Sequence, residues 1–115
     1  MKVLLDTNFL IDLFRFKISL EELAGYKLYT IKPVVEELKA LASTNSKESK
    51  YAKLALQLVK RIEVIKCEGD ADTSLLKLAG EFVIATNDRA LRKKLKERKT
   101  KTIYLRSKKR LNVSG

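Results

Sequence analysis

Acidic residues recur in this chain directly after short stretches that favour extended structure. Asp6 follows the apolar run Val3-Leu4-Leu5. Glu36 and Glu37 come shortly after Lys27–Ile31, Asp70 and Asp72 after Ile62–Ile65, and Asp88 after Phe82–Ala85 by way of Thr86-Asn87. Carboxylates crowded together repel one another and resist ionising without a compensating charge. A hard divalent cation, Mg²⁺ or Mn²⁺, takes oxygen ligands and keeps several waters, whereas a soft-ligand metal does not fit these residue types. Such an ion activates water and stabilises charge on a phosphoryl group, in a one-metal or a two-metal arrangement. Each acid also has a plainer use. Asp6 can cap the helix that follows it, and Asp70 or Asp72 can begin another. Glu36 and Glu37 suit the positive end of a helix dipole. Whether the acids meet decides between these uses, and that depends on the elements that carry them.

Lys2–Leu5 has the apolar character of a central strand buried on both faces. A short helix follows over Asn8–Phe14, continuing loosely to Phe16. Ser19 can cap a second short helix over Leu20–Ala24, which Gly25 ends. Lys27–Ile31 reads as strand two. Pro33 sits where a helix start tolerates it, and Val34, Val35, Leu38, Leu41 and Ala42 continue in helical rhythm. After the break at residues 42–46, Lys47–Lys60 is a basic amphipathic helix and Ile62–Ile65 is strand three. A helix from Asp70 or Asp72 runs to Gly80, and strand four is Phe82–Ala85. A helix dense in Lys and Arg opens at Ala90 and Leu91 and runs to Arg98. Strand five is Thr102–Leu105, and residues 107–115 form a basic, polar terminus expected to fray. This alternation predicts an α/β fold of three α/β/α layers around a central parallel five-stranded sheet. A strand order 3-2-1-4-5 puts a topological switch beside strand one and brings the acids along one edge.

The chain has 115 residues, the size of one domain spanning 1–115. Lys and Arg number 25 against 14 Asp and Glu, a net charge of +11, which favours a polyanionic partner. A solubilising surface rich in ion pairs is the alternative. The absence of His removes His-based triads and His-ligated zinc. The lone Cys67 excludes an internal disulfide and agrees with a reducing cytoplasm, the expected location. It reads as a small, partly buried filler rather than a nucleophile. No apolar stretch reaches the length of a membrane span and no signal peptide is evident, so no membrane partner is expected.

Four segments together carry a family resemblance. LLDTNFLID at the start, VVEEL at Val34–Leu38, ADTSLLKLA at Ala71–Ala79 and VIATNDRAL at Val83–Leu91 resemble the motifs of PIN-domain ribonucleases, and TIYLR at Thr102–Arg106 resembles the family's last strand. The resemblance implies that Asp6, Glu37, Asp72 and Asp88 are the catalytic, metal-holding acids, with Glu37 a better match than Glu36. It implies supporting roles for Asn8, Thr86 and Asn87. The activity implied is metal-dependent hydrolysis of RNA, in which an activated water attacks phosphorus in line and leaves 5′-phosphate and 3′-hydroxyl ends. The ATND form resembles ribosomal-RNA-processing members and small archaeal relatives more than a typical toxin. Those processing members often carry a further aspartate where this chain has Thr73. Asp70 is the nearest substitute for it, or the site holds fewer metals.

Arg89, Arg92, Lys93 and Lys94 on the last helix, with Arg106, Lys108, Lys109 and Arg110, are candidates for phosphate contacts, against a solvated surface as the plain alternative. Competing functions are a toxin ribonuclease with an antitoxin partner, and an RNA-binding module whose acid cluster is inactive, as Thr73 would permit. A response receiver is remote, because Lys66-Cys67 stands where it needs a phosphoacceptor aspartate. The family commonly dimerises, and a ribosome-assembly partner is conceivable for a processing enzyme. Phe14, Phe16 and Leu20 would either offer a homodimer surface or complete the core.

Overall fold

A computed structural model describes residues 1–107 and 109–115. Val3, Leu4 and Leu5 are fully buried. They belong to β1 (Lys2–Leu5), which pairs in parallel with β2 (Lys27–Ile31) on one side and β4 (Val83–Ala85) on the other. Outward from this centre, β3 (Glu63–Ile65) pairs with β2 and β5 (Thr102–Arg106) with β4, both in parallel. A last strand, β6 (Arg110–Ser114), pairs antiparallel with β5, giving a six-stranded mixed sheet of order β3-β2-β1-β4-β5-β6.

Between the strands lie α1 (Thr7–Arg15), a 3₁₀ turn (Leu20–Leu23), α2 (Lys32–Ala42), α3 (Ser49–Val59), α4 (Ala71–Leu78) and α5 (Arg89–Glu97). Right-handed crossovers moving one way from β1 to β3 put α1, α2 and α3 on one face, where they pack on one another. The crossovers through α4 and α5 run the other way and cover the opposite face. Phe9, Leu10 and Leu13 of α1, with Val34 and Leu38 of α2, fill the first layer, and Leu75, Leu91 and Leu95 fill the second. Truncating any of these to Ala would cost about 2–5 kcal/mol. Among the described residues no helix is long and apolar enough to cross a membrane.

The sheet differs from the five-stranded, parallel expectation by β6. Within the segment 107–115, expected as a basic tail, Ser107 stands at φ 54 and Arg110–Ser114 pair along β5 from Arg106↔Arg110 to Thr102↔Ser114. The cause is the edge: unaccompanied, β5 would present a row of unpaired backbone groups, and a short connection can return the chain only antiparallel. Within the predicted order, β1 to β5 stand as 3-2-1-4-5.

Helix bounds also shift. The helix expected from Lys47 begins at Ser49, whose buried hydroxyl donates to the Ala42 carbonyl at 2.9 Å and fixes the corner after α2. α2 begins at Lys32, so Glu36 and Glu37 lie beyond its first turn and gain little from its dipole. Phe14 and Phe16 are half-buried against the core, which they complete, while Leu20 is exposed. Cys67 is half-buried.

Candidate functional site

The switch lies where β1 and β4, adjacent in the sheet, send their chains to opposite faces. Asp6 is the first residue beyond β1. Its backbone N–H still reaches across to the Ala85 carbonyl at 2.9 Å, and its carbonyl accepts the Leu10 N–H at 3.0 Å as α1 begins. Its carboxylate accepts from the Thr7 N–H at 2.7 Å through Oδ1 and from Thr86 Oγ1 at 2.7 Å through Oδ2. Asp6 therefore caps a helix and sits at the switch at once. It is only 4% exposed, and burial pushes its carboxyl up to about 6, the two hydrogen bonds pulling down and Asp72 and Glu37 pushing further up.

The other three acids reach the same place from separate elements. Glu37 comes from α2 and accepts a short hydrogen bond from Thr7 Oγ1. Asp72 stands in the first turn of α4, its carboxyl raised by desolvation and by Asp88 and Asp70, and lowered by Lys94. Asp88 caps α5, its Oδ1 accepting from the Ala90 N–H at 2.9 Å and the Leu91 N–H at 3.3 Å. All four line one cavity of about 440 Å³, together with Asp12, Glu48 and the single guanidinium of Arg15. Glu36 and Asp70 do not line it. Glu36 is exposed on α2, and Asp70 caps α4 by accepting from the Thr73 N–H at 3.1 Å, a bond that holds its carboxyl low. In this arrangement Asp70, the nearest acid to Thr73, is engaged as a helix cap. Among the described residues no three acidic side chains lie close enough together to share one ion.

The segment Ala85-Thr86-Asn87-Asp88 ties these parts. Thr86 is fully buried and aims its hydroxyl at Asp6, while its oxygen accepts the Asp88 N–H at 3.2 Å. Asn87 donates through Nδ2 to Asp12 Oδ2 at 2.9 Å and accepts the Leu105 N–H at 2.9 Å, joining α1 to β5. Asn8 Oδ1 accepts the Asn87 N–H at 3.1 Å. Four polar lining residues escaped sequence reasoning: Thr7, Asp12, Arg15 and Glu48. Asp12 had a usable signal, since it lies one helical turn after Asn8 and so on the same face. Thr7 and Glu48 had none short of the packing of α1 on α2 and α3.

Of the expected phosphate contacts, Arg89, Lys93, Lys94, Arg106, Lys109 and Arg110 are exposed. Arg92 is half-buried, its guanidinium 3.6 Å over the ring of Tyr104. Lys108 lies outside the described residues.

The three-layer α/β/α fold agrees with what this chain is similar to among known proteins. Residues 3–108 match the family described as PIN like domain, and the chain belongs to that family. It is 32% identical to ribonuclease VapC4 of Methanocaldococcus jannaschii, over 99% of this chain and 97% of that one. It is also 32% identical to ribonuclease VapC9 of Archaeoglobus fulgidus, over 94% and 85%. The PIN domain endonuclease Utp24 shares the fold with a TM-score of 0.80 at 22% identity, over 98% of this chain and 90% of that one. A domain of a functionally unknown protein from M. jannaschii does so with a TM-score of 0.68 at 19% identity, over 92% and 91%.

Proposed function

We propose that this chain is a metal-dependent endoribonuclease in which Asp6, Glu37, Asp72 and Asp88 hold Mg²⁺ or Mn²⁺. The observation that carries the proposal is the convergence of four carboxylates from four elements on one cavity. Membership of the PIN-domain family and similarity to two proteins named ribonucleases support RNA as substrate. The donor set fits a hard cation: every candidate ligand is an oxygen, and Asp6 is buried beside other acids at a cost that positive charge would offset. When bound, such a cation supplies charge neutralisation at the phosphoryl group and a more acidic water.

The chain's own residues do the rest. Thr86 and the Thr7 N–H fix the Asp6 carboxylate, and Thr7 Oγ1 holds Glu37. Asp88 is pinned by the start of α5, so it cannot swing away. With no His in the chain, a carboxylate of this group is the natural acceptor for a proton from attacking water. The experiment compares wild type with Asp6→Asn on single-stranded and structured RNA in Mg²⁺, Mn²⁺ and EDTA. Metal-dependent cleavage should vanish in the variant while RNA binding persists. Cleavage indifferent to EDTA or to the substitution would sink the proposal.

A second reading, an RNA-binding module with a weak or inactive acid site, draws on two observations. Thr73 occupies the place of a further acid, and among the described residues no three acids gather tightly. RNA binding without cleavage under any metal would select it.

A further inference from the structure

The basic residues of α5 divide into two sets. Arg98 turns toward α4, donating from Nη1 to the Leu76 carbonyl at 3.0 Å, and Lys94 acts on Asp72 and Asp70. Arg89, Arg92, Lys93 and Lys96, with Lys99 just beyond the helix, instead wall a cavity of about 490 Å³ against Tyr104 of β5 and Ser114 of β6. No Asp or Glu lines this basin, and among the described residues none of its five cations is in an ion pair. Its aromatic wall is held in place. The Tyr104 hydroxyl accepts from Asn112 Nδ2 at 3.2 Å, and the Arg92 guanidinium lies 3.6 Å over the ring. Arg92 Nε is buried and makes no hydrogen bond among the described residues, so stacking fixes this group.

A third cavity, of about 450 Å³, bridges the basin to the acid site. It shares Asp12 and Arg15 with the acid cavity, and Arg89 and Arg92 with the basin. The three thus adjoin one another from the switch to the basin. A guanidinium plane held on an aromatic ring, among cations free of ion pairs, is a pairing that holds single-stranded nucleic acid, through phosphate neutralisation and base stacking. A duplex keeps its bases stacked inside and offers none to such a plane.

We propose that the basin between α5 and the β5–β6 hairpin, formed by Arg89, Arg92, Lys93, Lys96, Lys99 and Tyr104, is a second RNA subsite. A single-stranded segment of the substrate leaves the acid cavity past Arg15 and Arg89 and lodges there. The inference rests on RNA being the substrate, and its test is read as binding so that it stands apart from cleavage.

The probe is a fluorescein-labelled 16-nucleotide oligouridylate in EDTA, followed by anisotropy at several salt concentrations. The basin variant carries Lys93→Ala, Lys96→Ala and Lys99→Asn, the last because Lys99 has φ 58, which Asn tolerates. A control loses the same charge from α3 and the turn before it, through Lys47→Ala, Lys50→Ala and Lys53→Ala. The basin variant should lose about tenfold or more in affinity, and its log–log salt slope should fall by about 2. The control should change far less. Tyr104→Leu should weaken binding and Tyr104→Phe should not. Equal losses in the two triple variants, or tighter binding of a duplex than of the single strand, would overturn the subsite. Poly-glutamate held in the basin where the oligouridylate is not would assign it to an acidic protein instead, and also overturn it. Basin-dependent binding with no cleavage in Mg²⁺ or Mn²⁺ would keep the subsite and remove the enzyme. Cleavage with binding indifferent to the basin variant would do the reverse.

Discussion

Asp6 and Lys96 carry opposite charges in cavities separated by a third, yet only Asp6 is fixed by its surroundings. Asp6 is 4% exposed, grips the start of α1 and receives the Thr86 hydroxyl. Lys96 is exposed on a helix surface. Asp6 is thus held in place at a cost in desolvation. The basin holds charge in water at little cost, and its one rigid part is the Arg92–Tyr104 stack. Precise chemistry needs the first kind of construction, and tolerant binding of a polyanion needs only the second.

The sharpest way to break this contrast is Asp6→Asn. Beyond the loss of cleavage, the substitution should change stability with a definite sign. The folded-state carboxyl stands at about 6 against an ordinary 3.8, so the folded state binds the extra proton. Stability from this group is fully present below about pH 3.8 and is lost as pH rises through about 6. At pH 8 in EDTA the variant should therefore be more stable than wild type by about 2–3 kcal/mol, the gap closing toward pH 4. Urea unfolding at pH 4, 6 and 8 measures it, and a gap that fails to grow with pH would mean that Asp6 is not a strained charge. Asn87→Ala comes next. It orphans the Leu105 N–H and frees Asp12, and should cost about 2–4 kcal/mol by thermal or chemical unfolding.

Thr86→Val keeps shape but removes the donor to Asp6. We expect a loss of about 1–2 kcal/mol. Because that hydrogen bond lowers the folded-state Asp6 carboxyl, the gap to Asp6→Asn should level off at a higher pH and end larger, which moves the midpoint of its pH dependence upward. An unmoved midpoint would detach Thr86 from the charge. Asp70→Ala should be the mildest, lowering stability slightly as a lost cap and leaving cleavage intact. Cleavage that falls with it would return Asp70 to the site.

Sequence alone revealed what short-range pattern determines. Lys2–Leu5 and Lys27–Ile31 stood out because each is an extended, mostly apolar run next to residues that break it, and both strands have those bounds. The strand order followed because only a switch beside β1 aligns the acids on one edge. β6 was hidden because its residues are exposed or half-buried and carry little apolar alternation. Its partner, rather than its composition, makes it a strand. At the site, position after a strand drew out Asp6, the pairs Glu36/Glu37 and Asp70/Asp72, and Asp88, which is local information, and the resemblance to PIN-domain ribonucleases chose Glu37 and Asp72 within the pairs. Thr7 and Glu48 depend on how α1, α2 and α3 meet, and no spacing in the chain encodes that.

Thr86 and Asp6 are 80 positions apart, and their hydrogen bond closes the acid cavity. During synthesis β1 emerges first, and its partner on that side is made only after β2, β3 and four helices have passed. A growing chain that ends before Thr86 has Asp6 and Glu37 but neither the hydroxyl that orients Asp6 nor the carboxylate of Asp88. The ribosome carrying this chain, itself built largely of RNA, is thus beside a cavity that stays incomplete until nearly the whole sheet has been translated and β4 has docked against β1.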